Sequence, residues 1–255
     1  MVAFRVRPAI ILFGDSLTQF SFGESGGGGG GGVGWASLLS SAYQRRADVF
    51  NRGFSGYNTR HALEILPKVF APAEGGIVFA TVFWGANDAS LPDERQHVSV
   101  EEYGENLSKI IVSIRERTAA RKGEACESAD FPIIVFTPPP VDNEAWKTWR
   151  EIDHFDRTND HTRKYVEEAK KVAEKYNCTV LDTWEILGGS SDVTEYGKHL
   201  SDGLHLSESG NRLIFDALIG KIRSDFPHLA PMVDGDEKHG EMGIPVEEKL
   251  WDELC

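Results

Sequence analysis

The chain contains 255 residues, of which 40% are hydrophobic and 26% are charged, and both values are ordinary for a soluble globular protein. Its formal net charge of −13 argues against anionic partners, so we expect no binding to nucleic acid or to an acidic membrane surface. No apolar stretch approaches the roughly 18 residues of a transmembrane helix, so we expect no membrane insertion. The three cysteines have no C-x-x-C spacing, which argues against a disulfide framework and favours a reducing compartment.

The first predicted element is a strand over Ala9–Phe13, a short and uniformly apolar run that is typical of a strand buried on both faces. Arg5 and Arg7 precede this run, as basic residues do in a signal peptide. The run is shorter than the apolar region of a signal peptide, however, and it leads directly into Asp15 and Ser16. We therefore expect a strand rather than a targeting segment, and a cytoplasmic protein.

Strand and helix patterns alternate along the rest of the chain. The further predicted strands are Ala47–Asn51, Ile77–Phe83, Pro132–Thr137 and Thr179–Leu181. The predicted helices are Val33–Arg46, Thr59–Phe70, Val100–Arg121, Thr158–Asn177 and Ser207–Phe226. This alternation predicts a parallel sheet with helices on both faces, which right-handed crossovers make into a three-layer α/β/α sandwich. We assign residues 1–229 to this domain and residues 230–255 to an acidic C-terminal extension.

Seven consecutive glycines, Gly26–Gly32, form a low-complexity segment with too little side chain to pack. Such a run predicts a flexible insertion beside the site. A phosphate-binding loop is disfavoured because no strand enters the run and no Lys-Ser/Thr pair follows it. Gly23–Gly27 also satisfies the G-x-S-x-G pattern literally. Ser25 lacks the strand before it and the helix after it that a nucleophile elbow requires, so we reject it as a nucleophile.

Two short motifs near opposite ends of the chain, Gly14–Leu17 and Asp202–His205, carry the chemistry. Ser16 follows the first predicted strand after a glycine that permits a tight turn, and open α/β sheets bind ligands beyond the carboxyl ends of their strands. Asp202 and His205 supply a carboxylate and an imidazole close together in sequence. Nucleophile, base and orienting acid are the components of a serine hydrolase. The sequence therefore predicts an enzyme.

Two further turns follow the second and third predicted strands, at Asn51–Gly56 and Gly85–Asp88. Both are expected at the same sheet edge as Ser16. A glycine in such a turn can present its backbone N–H without obstruction, and the neutral carboxamide of Asn87 can donate without acting as a base. Donors of this kind stabilise the oxyanion that forms when a nucleophile attacks an ester.

Four blocks therefore stand in order along the chain, and they carry Ser16, Gly56, Asn87 and His205. With them, residues 10–226 resemble the SGNH superfamily, also called GDSL esterases and lipases. Further segments resemble the isoamyl acetate-hydrolysing esterase group within it: Gly14–Phe22, Asn51–Arg60, Trp84–Ala89, Gln96-His97, Glu101–Tyr103, and Thr137–Pro140 ahead of Trp146. The resemblance implies a flavodoxin-like fold with a five-stranded parallel sheet, which agrees with the element pattern.

The resemblance also implies roles for individual residues. Ser16 would be the nucleophile, His205 the general base, and Asp202 the residue that orients His205. The oxyanion hole would consist of the N–H groups of Ser16 and Gly56 and the side chain of Asn87. The implied reaction is hydrolysis of small, acetate-type carboxylic esters through an acyl-enzyme, with a small-molecule ester as the partner and with no metal and no other cofactor.

Two alternative functions stay open. The same residues could deacetylate a carbohydrate or another metabolite, or the fold could serve as a catalytically silent binding module. The intact set of site residues argues against the second alternative, because loss of activity usually erodes such a set.

Phe20, Trp84 and Leu204 are candidates for the substrate pocket, with core packing as the alternative for residues of this type. Trp84 stands where the resembling group usually has phenylalanine. The polar assignments have structural alternatives as well, since Ser16 or Asp202 could cap a helix.

Asp15 and Asp88 are expected to be structural hydrogen-bonding groups. His154, Asp156 and His161 have neither helical ligand spacing nor a second cluster that would support a metal site.

Overall fold

The computed structural model describes residues 7–23, 32–70, 76–119 and 131–231. Within them, five parallel strands form one sheet in the order β2-β1-β3-β4-β5. In chain order the strands are Ala9–Gly14 (β1), Asp48–Gly53 (β2), Ile77–Phe83 (β3), Ile133–Phe136 (β4) and Thr179–Leu181 (β5). This is the strand order of flavodoxin-like doubly wound sheets, whose ligands bind where the order reverses, between β1 and β3.

Among the described residues, five α-helices cover the two faces of the sheet, and four shorter α-helices lie in connections. The covering helices are Trp35–Ala42 (α2), Thr59–Val69 (α3), Val100–Ala119 (α4), Asn159–Lys175 (α6) and Glu208–Asp225 (α9). The shorter ones are Ser16–Gln19 (α1), Asn143–Trp149 (α5), Thr183–Ile186 (α7) and Val193–Tyr196 (α8). Within the described ranges, no helix is both long and apolar enough to cross a membrane.

The core is divided by the sheet into two clusters because successive side chains of a strand point to opposite faces. Along β1, Ile11 and Phe13 pack with residues of α3, α4 and α6, whereas Ile10 and Leu12 pack with residues of α2 and α9. Every residue of β1 is buried, as expected for the middle of a sheet with helices on both faces. The predicted three-layer α/β/α sandwich is confirmed.

The predicted strands are confirmed with small shifts at their ends. The second strand is predicted over Ala47–Asn51 but extends to Gly53, because its pairing with β1 continues to the register pair Gly14 and Gly53. The fourth is predicted over Pro132–Thr137 but covers only Ile133–Phe136. These ends depend on the neighbouring strand, which the local sequence does not specify.

Helix ends differ for reasons of capping and backbone conformation. Helix α2 begins at Trp35 rather than at the predicted Val33, because the backbone of Gly34, the residue before it, is extended. Thr158 and Ser207 are N-caps whose side chains accept backbone N–H groups, so α6 and α9 each begin one residue later than predicted. Part of the helix predicted over residues 100–121, most of the glycine run with Ser25, and nearly all of the C-terminal extension lie outside the described residues.

Candidate active site

Ser16 is positioned by the sharp turn that ends β1 and begins α1. Asp15 is the N-cap of α1, and its Oδ1 accepts a hydrogen bond from the N–H of Leu17 at 2.9 Å. Gly14 makes this close approach possible, because a Cβ at this position would collide with Oγ1 of Thr18. The cap is therefore Asp15 and not Ser16, which leaves the hydroxyl of Ser16 available. The structural role expected for Asp15 is confirmed.

The structure brings Ser16, His205 and Asp202 into one chain of contacts at the carboxyl edge of the sheet. Nε2 of His205 lies 2.9 Å from Oγ of Ser16, across 189 positions of sequence. Nδ1 of the same ring lies 2.6 Å from Oδ2 of Asp202. In this geometry a serine hydroxyl, an imidazole and a carboxylate are aligned for proton transfer from the hydroxyl to Nε2.

Asp202 is held in place by its own turn. Its Oδ1 accepts hydrogen bonds from the N–H groups of Leu204 and His205 at 2.9 and 2.8 Å, so only Oδ2 is left for the imidazole. Burial by itself would raise the pKa of Asp202, but the hydrogen bonds and the charge of His205, together with the two backbone donors, lower the pKa below its ordinary value. The carboxylate is therefore ionised at neutral pH. Ser207, and not Asp202, caps the last helix.

Three aromatic rings surround the imidazole of His205. Phe20 and Trp146 lie edge-on to it, with ring centroids 5.5 and 5.7 Å away. Trp149 stacks on Trp146 and lies 6.5 Å from His205, with 40% of its surface exposed. Phe20 is half-buried. Phe20 and Trp149 give the outer side of the site an apolar surface, whereas Trp146 is buried behind them.

Two of the predicted pocket residues are in the core instead, and their assignment is corrected. Trp84 is 1% exposed and packs edge-on against Phe13 with centroids 5.0 Å apart, because its position directly after β3 directs the ring into the cluster beneath α3 and α4. Leu204 is 2% exposed and joins the cluster on the opposite face. Neither side chain can contact a substrate at the surface.

The predicted oxyanion donors follow three adjacent strands. Ser16 follows β1, Gly56 lies in the turn after β2, and Asn87 lies in the turn after β3. Gly56 has a φ of +79°, a conformation that favours glycine. Among the described residues, the N–H groups of Ser16 and Gly56 have no hydrogen-bond acceptor. Asn87 donates one N–H of its carboxamide to the carbonyl of Tyr57 at 2.8 Å, which leaves the second N–H of Nδ2 unused.

Two buried carboxyl groups lie beneath these turns. Asp88 accepts hydrogen bonds from both the N–H and the hydroxyl of Thr59. These bonds connect the turn after β3 to the start of α3, so the structural role expected for Asp88 is confirmed. Burial raises the pKa of Asp88 to about 6 despite these bonds. Burial and the nearby charge of Asp88 raise the pKa of Asp15 to about 7.

His154, Asp156 and His161, which the sequence does not support as a metal site, contact different residues. His154 contacts Glu94 at the surface, whereas Asp156 accepts from the indole of Trp146 and from Arg157. His161 lies beside Tyr165. No group of three or more potential metal ligands occurs within the described part of the chain.

Sequence reasoning missed three side chains around the site: Gln96, Trp149 and Arg157. Arg157 is almost completely buried and donates to the side chain of Asn87. Gln96 belongs to the Gln96-His97 segment, which resembles the isoamyl acetate-hydrolysing esterase group, and this resemblance is the one signal that could have indicated Gln96. Nothing in the local sequence distinguishes Trp149 or Arg157 from ordinary surface residues of a charged segment.

Comparison with known proteins gives consistent results. Residues 12–213 match the GDSL-like Lipase/Acylhydrolase family. The chain is 38% identical to the isoamyl acetate-hydrolyzing esterase 1 homolog of Mus musculus, over 93% of this chain and 92% of that protein. It is 36% identical to a GDSL esterase/lipase of Arabidopsis thaliana, over 88% and 93% of the two chains. The crystal structure of a lipase/acylhydrolase from Enterococcus faecalis superposes with a TM-score of 0.62 at 25% identity, covering 85% of this chain and 95% of the other.

Proposed function

The chain belongs to the GDSL-like lipase/acylhydrolase family and is a carboxylic ester hydrolase, and from this premise we propose that Ser16, His205 and Asp202 form its catalytic triad. The observation that carries the proposal is the position of His205, whose Nε2 contacts Oγ of Ser16 while its Nδ1 contacts the ionised Asp202. This arrangement sets the tautomer: Nδ1 carries the proton that is donated to Asp202, and Nε2 is free to accept one.

The first half of the reaction acylates the enzyme. Oγ of Ser16 attacks the carbonyl carbon of the ester while Nε2 of His205 takes the hydroxyl proton. The negative charge that develops on the carbonyl oxygen is stabilised by the N–H groups of Ser16 and Gly56 and by the second N–H of Asn87. When the tetrahedral intermediate collapses, His205 delivers its proton to the departing alkoxide, and the alcohol leaves.

The second half regenerates the serine. A water molecule, deprotonated by Nε2 of His205, attacks the carbonyl carbon of the acyl-Ser16 ester. The second tetrahedral intermediate uses the same oxyanion donors. Its collapse breaks the bond to Oγ, which recovers the proton from His205, and the carboxylic acid is released.

The substrates are small acetate-type esters. Two observations support this choice: several relatives are named for the hydrolysis of isoamyl acetate, and Phe20 and Trp149 place apolar rings beside His205. Rings at this position would pack against a short aliphatic group of the ester.

The test is covalent labelling combined with hydrolysis of p-nitrophenyl acetate. An alkyl fluorophosphonate is expected to add one phosphonyl group to Ser16 and none to Ser25, because Nε2 of His205 contacts the hydroxyl of Ser16 and the sequence around Ser25 lacks the strand and the helix that a nucleophile elbow requires. Ser16→Ala should abolish both labelling and turnover, whereas Ser25→Ala, the matched control, should retain both. A peptide map that places the adduct on Ser25, or full turnover by Ser16→Ala, would overturn the assignment.

A further inference from the structure

Gln96 bridges two members of the oxyanion hole without belonging to it. Its Nε2 donates to the carbonyl of Gly56 at 2.8 Å and to Oδ1 of Asn87 at 3.0 Å, so both N–H bonds of the amide are used. Its Oε1 accepts from Nη2 of Arg157 at 2.8 Å. The carbonyl of Gln96 accepts from Asn58, which anchors the backbone of the loop. One side chain thus connects the turn after β2 to the turn after β3.

The same network determines which way the carboxamide of Asn87 faces. Oδ1 of Asn87 receives two donors, Gln96 Nε2 and Arg157 Nη2, the latter at 3.2 Å. Nδ2 donates to the carbonyl of Tyr57. A flipped carboxamide would set its NH₂ group against two donors and its oxygen against a carbonyl. Asn87 is therefore held in the single orientation that keeps one N–H of Nδ2 available.

Arg157 adds a charge to this network. It is 2% exposed, forms an ion pair with Asp156 at 2.7 Å and donates its Nε to the carbonyl of Ala86, so its guanidinium is fixed on three sides. A cation that donates to Oδ1 polarises the amide and makes the N–H groups of Asn87 stronger donors. Preorganised donors of this kind need no reorganisation when the oxyanion forms.

We propose that Gln96 is a positioning residue for the oxyanion hole, which it supports by orienting Asn87 and tying it to Gly56 with the help of Arg157. This inference rests on the proposed function, since it assigns Gln96 to the stabilisation of an ester-derived oxyanion. An interaction that matters only in the transition state changes kcat and kcat/KM together and leaves KM nearly unchanged.

The first measurement compares Gln96→Met with Arg95→Met in hydrolysis of p-nitrophenyl acetate. Methionine keeps the length of glutamine and removes both donors. Arg95 is exposed and makes no hydrogen bond or ion pair within the described ranges, so Arg95→Met controls for a change in the same loop. Gln96→Met is expected to lower kcat about 10- to 100-fold, less than complete loss of one oxyanion donor, with KM changed by no more than about twofold.

The second measurement is a double-mutant cycle with Asn87→Ala, which separates positioning from general stability. If Gln96 acts through Asn87, its substitution has little left to disturb once the carboxamide is gone. The loss caused by Gln96→Met should then be at least about fivefold smaller in the Asn87→Ala background than in the wild type. Equal losses in both backgrounds would overturn the proposal, and so would a kcat of Gln96→Met equal to that of Arg95→Met.

A third variant keeps the test decisive if Gln96→Met does not fold. Gln96→Glu has nearly the same shape and retains the acceptor for Arg157, but it turns a carboxylate oxygen toward Gly56 O and Asn87 Oδ1. It should lose at least as much kcat as Gln96→Met, and normal turnover by Gln96→Glu would contradict the proposal. Failure of the proposed function is distinguishable, because the wild type would then not hydrolyse the ester or Ser16→Ala would retain turnover.

Discussion

The two carboxylate oxygens of Asp202 accept hydrogen bonds from different groups. Oδ1 accepts the N–H groups of Leu204 and His205, and Oδ2 accepts from the imidazole. The two hydrogen bonds to Oδ1 hold the turn in shape, whereas the hydrogen bond between Oδ2 and Nδ1 sets the tautomer of His205. A substitution that keeps the acceptor for the two backbone N–H groups but replaces the acceptor for the imidazole with a donor therefore separates folding from catalysis.

Asp202→Asn is such a substitution. The amide oxygen can still accept the two backbone donors, but its NH₂ group would donate to Nδ1 of His205. The ring proton would then move to Nε2, which could no longer take the proton of Ser16. We expect kcat to fall by about 10⁴ while the melting temperature stays close to that of the wild type. The variant should be assayed with p-nitrophenyl acetate and by thermal unfolding, and activity within tenfold of wild type would argue against a triad.

At the scale of an element, α5 supplies two of the three aromatic rings around the imidazole of His205. Asp142 caps this helix by accepting the N–H of Ala145, and the N–H of Asp142 donates to the carbonyl of Gly203 in the turn of the candidate triad. The helix thereby carries Trp146 and Trp149 to the side of His205. A seven-residue helix can thus shape the entrance to the site without contributing any of its reacting groups.

We expect kcat/KM to be highest for acetyl and short acyl p-nitrophenyl esters and to fall as the acyl chain lengthens to twelve carbons, because long chains meet the rings at the entrance. Removing the exposed indole with Trp149→Ala should relax this limit. The relative kcat/KM for octanoyl over acetyl ester should rise by about tenfold, the effect of roughly 1–2 kcal/mol in a hydrophobic contact.

The matched control is Phe50→Ala, which removes an equally exposed ring that contacts Arg52 on β2 rather than His205. A wild-type maximum at eight carbons or more would contradict the small-ester substrate class. Unchanged chain-length profiles in Trp149→Ala would show that this ring does not set the limit.

For the whole molecule, the buried carboxyl groups under the site link stability to pH. The pKa of Asp15 is raised to about 7, above its ordinary value of 3.8, chiefly by burial. Between these two values the folded protein therefore binds more protons than the unfolded chain. The contribution of Asp15 to the free energy of unfolding consequently falls as the pH rises from about 4 to about 7, and it is absent above that range.

Asp15→Asn should flatten this dependence, because a neutral amide can still accept the N–H of Leu17 without titrating. The melting temperature of the variant at pH 8 should exceed that of the wild type by about 2–4 °C or more, and the difference should shrink toward pH 5. Asp93→Asn, a change at an exposed carboxylate, serves as the control. Parallel stability curves for wild type and Asp15→Asn between pH 5 and 8 would contradict the prediction.

The local sequence was sufficient to predict the strands and helices and the edge of the sheet at which the candidate site lies. Apolar runs such as Ile77–Phe83 predict buried strands because backbone pairing and burial on two faces select the same residues. Ser16, Gly56 and Asn87 then follow three strands whose carboxyl ends must share one edge of a parallel sheet. These conclusions required only chain-local patterns and the handedness of crossovers.

Tertiary structure alone decided which side chains surround His205 and which contact Asn87 and Gly56. The ring of Trp84 packs against Phe13 in the core cluster beneath α3 and α4, and Trp149 reaches His205 through the placement of α5. Arg157 meets Asn87 across 70 positions of sequence, and Gln96 meets Gly56 across 40. Contacts of this range depend on how whole elements pack, so no local pattern of hydrophobicity or spacing encodes them.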